Sequence, residues 1–187
     1  MIIKRHLPFR YSREGCIPDR LFLQFSNETA EETERRLNEE KRTVHFFLGK
    51  DGVITAFTPL TQAANELGPS AQTRENDLSR ARRGILIQIE GDFRDEAQKE
   101  PLLRLIKRIQ KEILRIYGEP FPLTRETVTY PEGFPIEEIL ELGRWEGERK
   151  RLFRVQTGQY QTRRDAEESL ERLAQAGIAG YITEVRV

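Results

Sequence analysis

The sequence predicts an α/β fold, a mixed central sheet flanked by helices, followed by a small C-terminal β-α-β unit. Three observations carry this. Two short apolar runs, at 21–25 (LFLQF) and at 84–90 (GILIQIE), have the composition of strands covered on both faces. Residues 96–117 set Leu102, Leu105, Ile106, Ile109, Ile113 and Ile116 three and four apart with Lys and Arg between them, which is one long amphipathic helix. Beyond a charged stretch at 146–151, the chain turns to a strand-helix-strand pattern that runs to its last residue.

Taken in order, residues 1–3 (MII) are a short apolar start that packs as an N-terminal strand or arm, followed by a turn at Gly15-Cys16-Ile17-Pro18. After the run at 21–25, Ser26 or Asn27 can cap a charged helix over 30–40, whose first turn collects Glu28, Glu31 and Glu32, the sign of charge that a helix N-terminus favours. The β-branched and aromatic stretches 44–48 and 53–57 enclose Gly49-Lys50-Asp51-Gly52 and predict a hairpin. Residues 60–83 read as loop, 84–90 as a buried strand, and Gly118 ends the long helix. A Pro-rich irregular segment at 119–133 leads to FPIEEIL at 134–140. In the last segment Phe153, Val155 and Thr157 alternate, Thr162 caps a helix carrying Ala166, Leu170, Leu173 and Ala174 on one face, and Gly177 stops it. The expected division is one domain over 1–148 and a small unit over 149–187.

With 31 Lys and Arg against 31 Asp and Glu, the 187-residue chain has no net field to draw it to nucleic acid or to an anionic membrane. A single cysteine, Cys16, excludes an internal disulfide. No apolar run reaches membrane-spanning length, and the first residues lack the apolar core of a secretion signal. The expected location is cytoplasmic, or cell-wall or phage-associated after release by another route.

The order strand, capping segment, helix, hairpin over 20–60 resembles the zinc-dependent N-acetylmuramoyl-L-alanine amidases of the peptidoglycan-recognition and phage-lysin type. The hairpin VHFFLGKDG, the strand GILIQIE and the ending Gly143-Arg144-Trp145 carry the resemblance further along the chain. It implies a zinc ligand at Gln24, a catalytic carboxylate at Gln88, a second ligand at Glu126 or its neighbour Arg125, and a third at Phe134. None of the residues present at Gln24, Gln88 and Phe134 is the type the resemblance calls for. The loop 63–68 (AANELG) likewise lacks the Trp and His of the related loops. Residues Phe153, Val155, Gln156, Gly158, Tyr160 and Ala166 match the opening of a SPOR (sporulation-related) repeat, of which the chain holds one half. A lone unit of this size buries too little surface to fold by itself, so it is expected to dock on the larger domain or to form a homodimer.

Zinc hydrolysis of this kind needs three protein ligands and a nearby acid or base. Gln24 and Gln88 keep hydrogen-bonding capacity but cannot replace a metal-bound imidazole or take a proton at neutral pH. The expectation is a chain with no metal and no cofactor that binds peptidoglycan without cutting it. Gln24, His45, Asn65, Gln88 and Tyr130 would line the groove, and Gln156, Gly158 and Tyr160 would face the glycan. His45 also has a plain reading as a packed, hydrogen-bonded core residue. Two alternatives stay open: a protein-interaction role in an assembly or as a regulator of a true amidase, and an active hydrolase using His45 with Glu66, Glu90 or Glu126.

Overall fold

The computed structural model describes residues 1–5, 7–9, 11–65, 81–143, 160, 162–176 and 182. Eight strands are placed among them: β1 (Ile2–Lys4), β2 (Tyr11–Ser12), β3 (Arg20–Ser26), β4 (Phe46–Leu48), β5 (Ile54–Ala56), β6 (Gln62–Ala63), β7 (Gly84–Glu90) and β8 (Val128–Thr129). Four helices accompany them: α1 (Ala30–Glu40), α2 (Glu96–Tyr117), α3 (Ile136–Leu142) and α4 (Arg163–Gln175). A six-stranded sheet runs β1-β5-β4-β7-β3-β8, and β2 pairs with β6 apart from it. Only the β4–β5 hairpin is antiparallel in the large sheet; the other neighbours are parallel, so the sheet is mixed, as the sequence predicts.

The alternation along β3 and β7 divides the core in two. Leu21, Leu23, Ile85, Ile87 and Ile89 face α2 and pack on Leu102, Leu105, Ile106, Ile109 and Ile113. The opposite face carries Leu86 and Phe47, joined by Leu37 of α1 and by Val44 and Phe57. Both faces of the central strands are therefore covered along their first halves, which accounts for their unbroken apolar runs.

The ends of α1 follow from local chemistry, with one change from expectation. The cap is Thr29, not Ser26 or Asn27: the Glu32 N–H donates to Thr29 Oγ1 at 3.3 Å, and the Glu32 carboxylate accepts the Thr29 N–H at 2.8 Å. A capping box satisfies two helix-end donors at once, which neither alternative could do without a Glu three residues on. Glu28 is thereby freed to pair with Arg36 at 2.8 Å. The C-terminal helix also begins where expected, with the Asp165 N–H donating to Thr162 Oγ1 at 3.2 Å. Its two expected flanking strands lie outside the described residues.

The hairpin tip locks onto α2. Gly52 has φ +77°, and a side chain there would collide with the Ala97 carbonyl and touch Pro101 at 3.0 Å. Pro101 has no N–H to give the Ala97 carbonyl, so that carbonyl sits free of the helical ladder beside the glycine. Gly133, with φ +81°, has nothing within 4 Å. Gly133→Ala is therefore expected to lose about 1 kcal/mol from backbone strain alone, and Gly52→Ala about 3 kcal/mol because overpacking adds to it. Urea unfolding of both variants checks this, and equal losses would contradict the tip contact.

Candidate functional site

The polar interruption of the central strands marks the candidate site. On the face that β7 turns towards α1, Leu86 is followed by Gln88 and Glu90; on β3, Phe22 is followed by Gln24 and Ser26. The register places Gln24 opposite Gln88 and Ser26 opposite Glu90, while Phe47 of β4 flanks Gln88 from the other side. Neighbouring strands lie about 4.8 Å apart, so the four polar side chains form a two-by-two patch at the carboxyl ends of the two central parallel strands. Crevices at such strand ends are where open α/β sheets bind ligands.

Gln88 is 9 % exposed and its carboxamide oxygen has no hydrogen-bond partner. A buried acceptor left unpaired costs about 1–3 kcal/mol. Thr58, Gln98 and Gln110 also hold unpaired buried oxygens, but only Gln88 sits in a row of polar side chains at a strand end. Glu90 accepts the Lys50 N–H at 3.1 Å, and Ser26 Oγ accepts the Glu28 N–H at 3.2 Å, so the outer row is tied to the hairpin and to the segment entering α1. An open depression of about 320 Å³ begins at the next residue, Asn27, and runs along Glu28, Glu32, Arg35, Arg36 and Glu39. Arg36 and Glu28 already pair with each other in its wall, so it is a charged surface rather than an enclosed cavity.

Of the four positions assigned to a lost zinc and catalytic set, the structure brings two together, Gln24 and Gln88. Glu126 is exposed and precedes β8, whose Val128 lies opposite Leu21. It lies in the turn that leads into β8, beside the start of β3, where Arg20 donates to its carbonyl, and not at the strand end that holds Gln24. Phe134 belongs to the core on the α2 face, where its ring lies 4.8 Å from Phe93, 6.2 Å from Phe25 and 6.5 Å from Tyr130. Phe93 holds φ +61°, a left-handed backbone rare for a bulky residue, to make this contact. Amides, a phenyl ring and a distant carboxylate do not fit a zinc ion. Among the described residues no group of three or more His, Cys, Asp or Glu could hold a metal ion.

The groove positions also separate. Tyr130 is half-buried against Phe134. Asn65 is half-buried and tied through its N–H to Thr43 Oγ1 at 2.8 Å, at the entry to β4. His45 has no exposed surface. The Leu86 N–H donates to its Nδ1 at 3.0 Å, which leaves the proton of the neutral ring on Nε2, facing the Gln62 carbonyl at 3.0 Å. Gln156 and Gly158 lie outside the described residues. Tyr160 is 44 % exposed, with its hydroxyl 2.6 Å from Ser169 Oγ of α4.

Two residues of this patch and one at the other end of the strands stand out only in the structure. Ser26 and Glu90 could have been found by extending the alternation of β3 and β7 past the two glutamines. Arg13 gave no signal. It is 3 % exposed, and its guanidinium donates to the carbonyls of Leu60 (2.8 Å), Gly84 (3.1 Å) and Arg82, with Nη2 2.8 Å from His45 Nε2. Burial pushes its pKa down to about 10, so it stays cationic at neutral pH. Burial, and then the charge of Arg13, push His45 down to about 3.

No protein-family model matches the chain, and no curated protein matches it. Solved structures do. A selenomethionine AmpD derivative is 16 % identical with a TM-score of 0.52, over 75 % of this chain and 93 % of that one. Citrobacter freundii AmpD in solution is 16 % identical, TM-score 0.49, over 75 % and 89 %. The endolysin LysCS from Clostridium intestinale, an N-acetylmuramoyl-L-alanine amidase, is 16 % identical, TM-score 0.48, over 74 % and 92 %. The fold is that of the first of these, an amidase-type mixed sheet flanked by helices.

The buried imidazole gives the fold an acid limb. An unfolded histidine takes its proton below about pH 6.5, whereas His45 resists it until about 3. Acidification across that window favours the unfolded chain, and stability is expected to fall by a few kcal/mol between pH 6.5 and 4. Urea midpoints against pH check this: His45→Phe should be weaker at pH 7 yet show a shallower fall. The same slope in both proteins would contradict the assignment.

Proposed function

We propose that this chain is a noncatalytic peptidoglycan-binding protein, built as an amidase-like domain over 1–148 with a half SPOR-like unit over 149–187. The observation that carries the reading is the in-register Gln24–Gln88 pair at the ends of β3 and β7, with the Gln88 oxygen unpartnered. The resemblance of the 20–60 segment to peptidoglycan amidases and the fold shared with AmpD support peptidoglycan as the ligand class. Carboxamides both donate and accept, which matches the N-acetyl and peptide groups of a muropeptide, and they neither bind zinc well nor exchange a proton at neutral pH. Ser26 and Glu90 extend the patch outward. The C-terminal unit adds a second contact with glycan through Gln156, Gly158 and Tyr160, either docked on the larger domain or paired with its copy in a homodimer. No helix among the described residues is long and apolar enough to cross a membrane.

Co-sedimentation with purified peptidoglycan, and calorimetry with a soluble N-acetylmuramoyl peptide, test this. The chain is expected to bind both and to release no free peptide. Gln88→Leu should keep or raise the unfolding midpoint, because it removes an unpaired buried acceptor, while weakening the muropeptide at least about tenfold, as expected for losing a buried hydrogen bond. Peptide release by the wild-type chain would overturn the reading, as would unchanged affinity in the variant.

A further inference from the structure

The long helix carries a seam of positive charge, unpaired along its middle, that neither the fold nor the strand-end site uses. Arg104, Lys107, Arg108, Lys111 and Arg115 are all exposed. At 100° per residue they fall within an arc of roughly 100°, centred opposite the buried Leu102, Ile106, Ile109 and Ile113. The seam is about 16 Å long.

On the other helices several cations are paired, although Arg35 and Arg172 make no ion pair among the described residues. On α1, Arg36 pairs with Glu28 and Glu40, and Arg5 reaches Glu31 and Glu34. On α4, Arg163 and Arg164 pair with Glu167 and Glu168 at four-residue spacing. On α2 Lys99 pairs with Glu138, but within the seam only the two ends are answered, Arg104 by Glu100 at 3.6 Å and Arg115 by Glu112 at 2.8 Å. Lys107, Arg108 and Lys111 make no ion pair among the described residues. Instead Arg104 and Arg108, Lys107 and Lys111, and Lys111 and Arg115 stand four apart, each a like-charge neighbour that weakens the helix.

We propose that this face of α2 docks a linear polyphosphate chain. The seam is single-file and straight, and its arginines can grip phosphate oxygens two at a time. Between the cations Leu105, Ile106, Ile109, Gln110 and Ile113 are buried and Leu114 is half-buried, so no large apolar side chain stands fully exposed to enter a lipid interior. The one aromatic residue of the helix, Tyr117, is buried and offers no surface for stacking bases. Exposed Glu100 and Glu119 sit near the two ends of the helix and Glu112 beside the seam, where they disfavour a broad duplex more than a single strand. The inference is independent of the strand-end reading, since it uses a different face and different residues.

The test uses the full chain and fluorescently labelled short-chain inorganic polyphosphate, followed by anisotropy across a salt series. Binding is expected at low salt, with a log–log salt slope of about −2 to −4, corresponding to three to five phosphates engaged. Lys107→Glu/Arg108→Glu/Lys111→Glu should bind on the order of a hundredfold more weakly and melt no lower than the wild-type chain, whereas Arg163→Glu/Arg164→Glu should leave affinity unchanged. No wild-type binding at low salt, or equal weakening by both variants, would overturn the seam. Tighter binding to duplex DNA or to anionic vesicles would overturn the choice of occupant.

Discussion

The parallel pairing of β3 with β7 is the constraint on which the rest of this structure depends. Seven consecutive residues are in register, from Arg20 against Gly84 to Ser26 against Glu90. Because side chains alternate with a period of two, that register decides at once which residues meet α2, which meet α1, and which stand together at the strand ends. A slip of one residue would bury Gln24 against the isoleucines of β7 and turn Leu23 towards α1. The apolar halves of the two strands hold the register, and the polar ends ride on it. A site built this way sits on rigid elements rather than on loops, so its side chains are positioned by the same packing that stabilises the domain.

The opposite ends of the strands are held by a different device. Arg13 gathers the carbonyls of Leu60, Arg82 and Gly84 around one buried guanidinium, and His45 fills the remaining gap between Leu86 and Gln62. A buried cation without a carboxylate partner is tolerable only when its donors find acceptors, and here the carbonyls of Leu60, Arg82 and Gly84, from two stretches of chain, meet most of them. The device joins the segment after β2, the residues around β6 and the start of β7. The histidine motif in the hairpin is in this way tied to the core, some distance from the polar patch, and its residue type is explained by hydrogen bonds rather than by chemistry on a ligand.

Most of the fold was legible because it is written in periodicity. The continuous apolar runs gave β3 and β7, the three-and-four spacing gave α2, and the glycine-rich tip gave the β4–β5 hairpin. The bounds of α1 were read correctly while its cap was placed too early, since only the reciprocal geometry of Thr29 and Glu32 separates it from Ser26 and Asn27. The site was half legible. Gln24 and Gln88 lie on strands, where a resemblance aligns without gaps and the register does the rest. Glu126 and Phe134 lie in an irregular segment, where spacing along the chain says little about position in space; one ended near the wrong end of the sheet and the other in an aromatic cluster with Phe93. The role of Arg13 depends on carbonyls up to 71 residues away, and no local pattern announces it.

The central claim is that the strand-end patch is an amide-lined binding surface rather than a metal centre. Elemental analysis of protein purified without a metal-affinity tag, after incubation with zinc and removal of the excess, tests it most directly. The account predicts fewer than about 0.1 zinc per chain, because two carboxamides and a phenyl ring supply no competent ligand set. About one tightly held zinc per chain would contradict it.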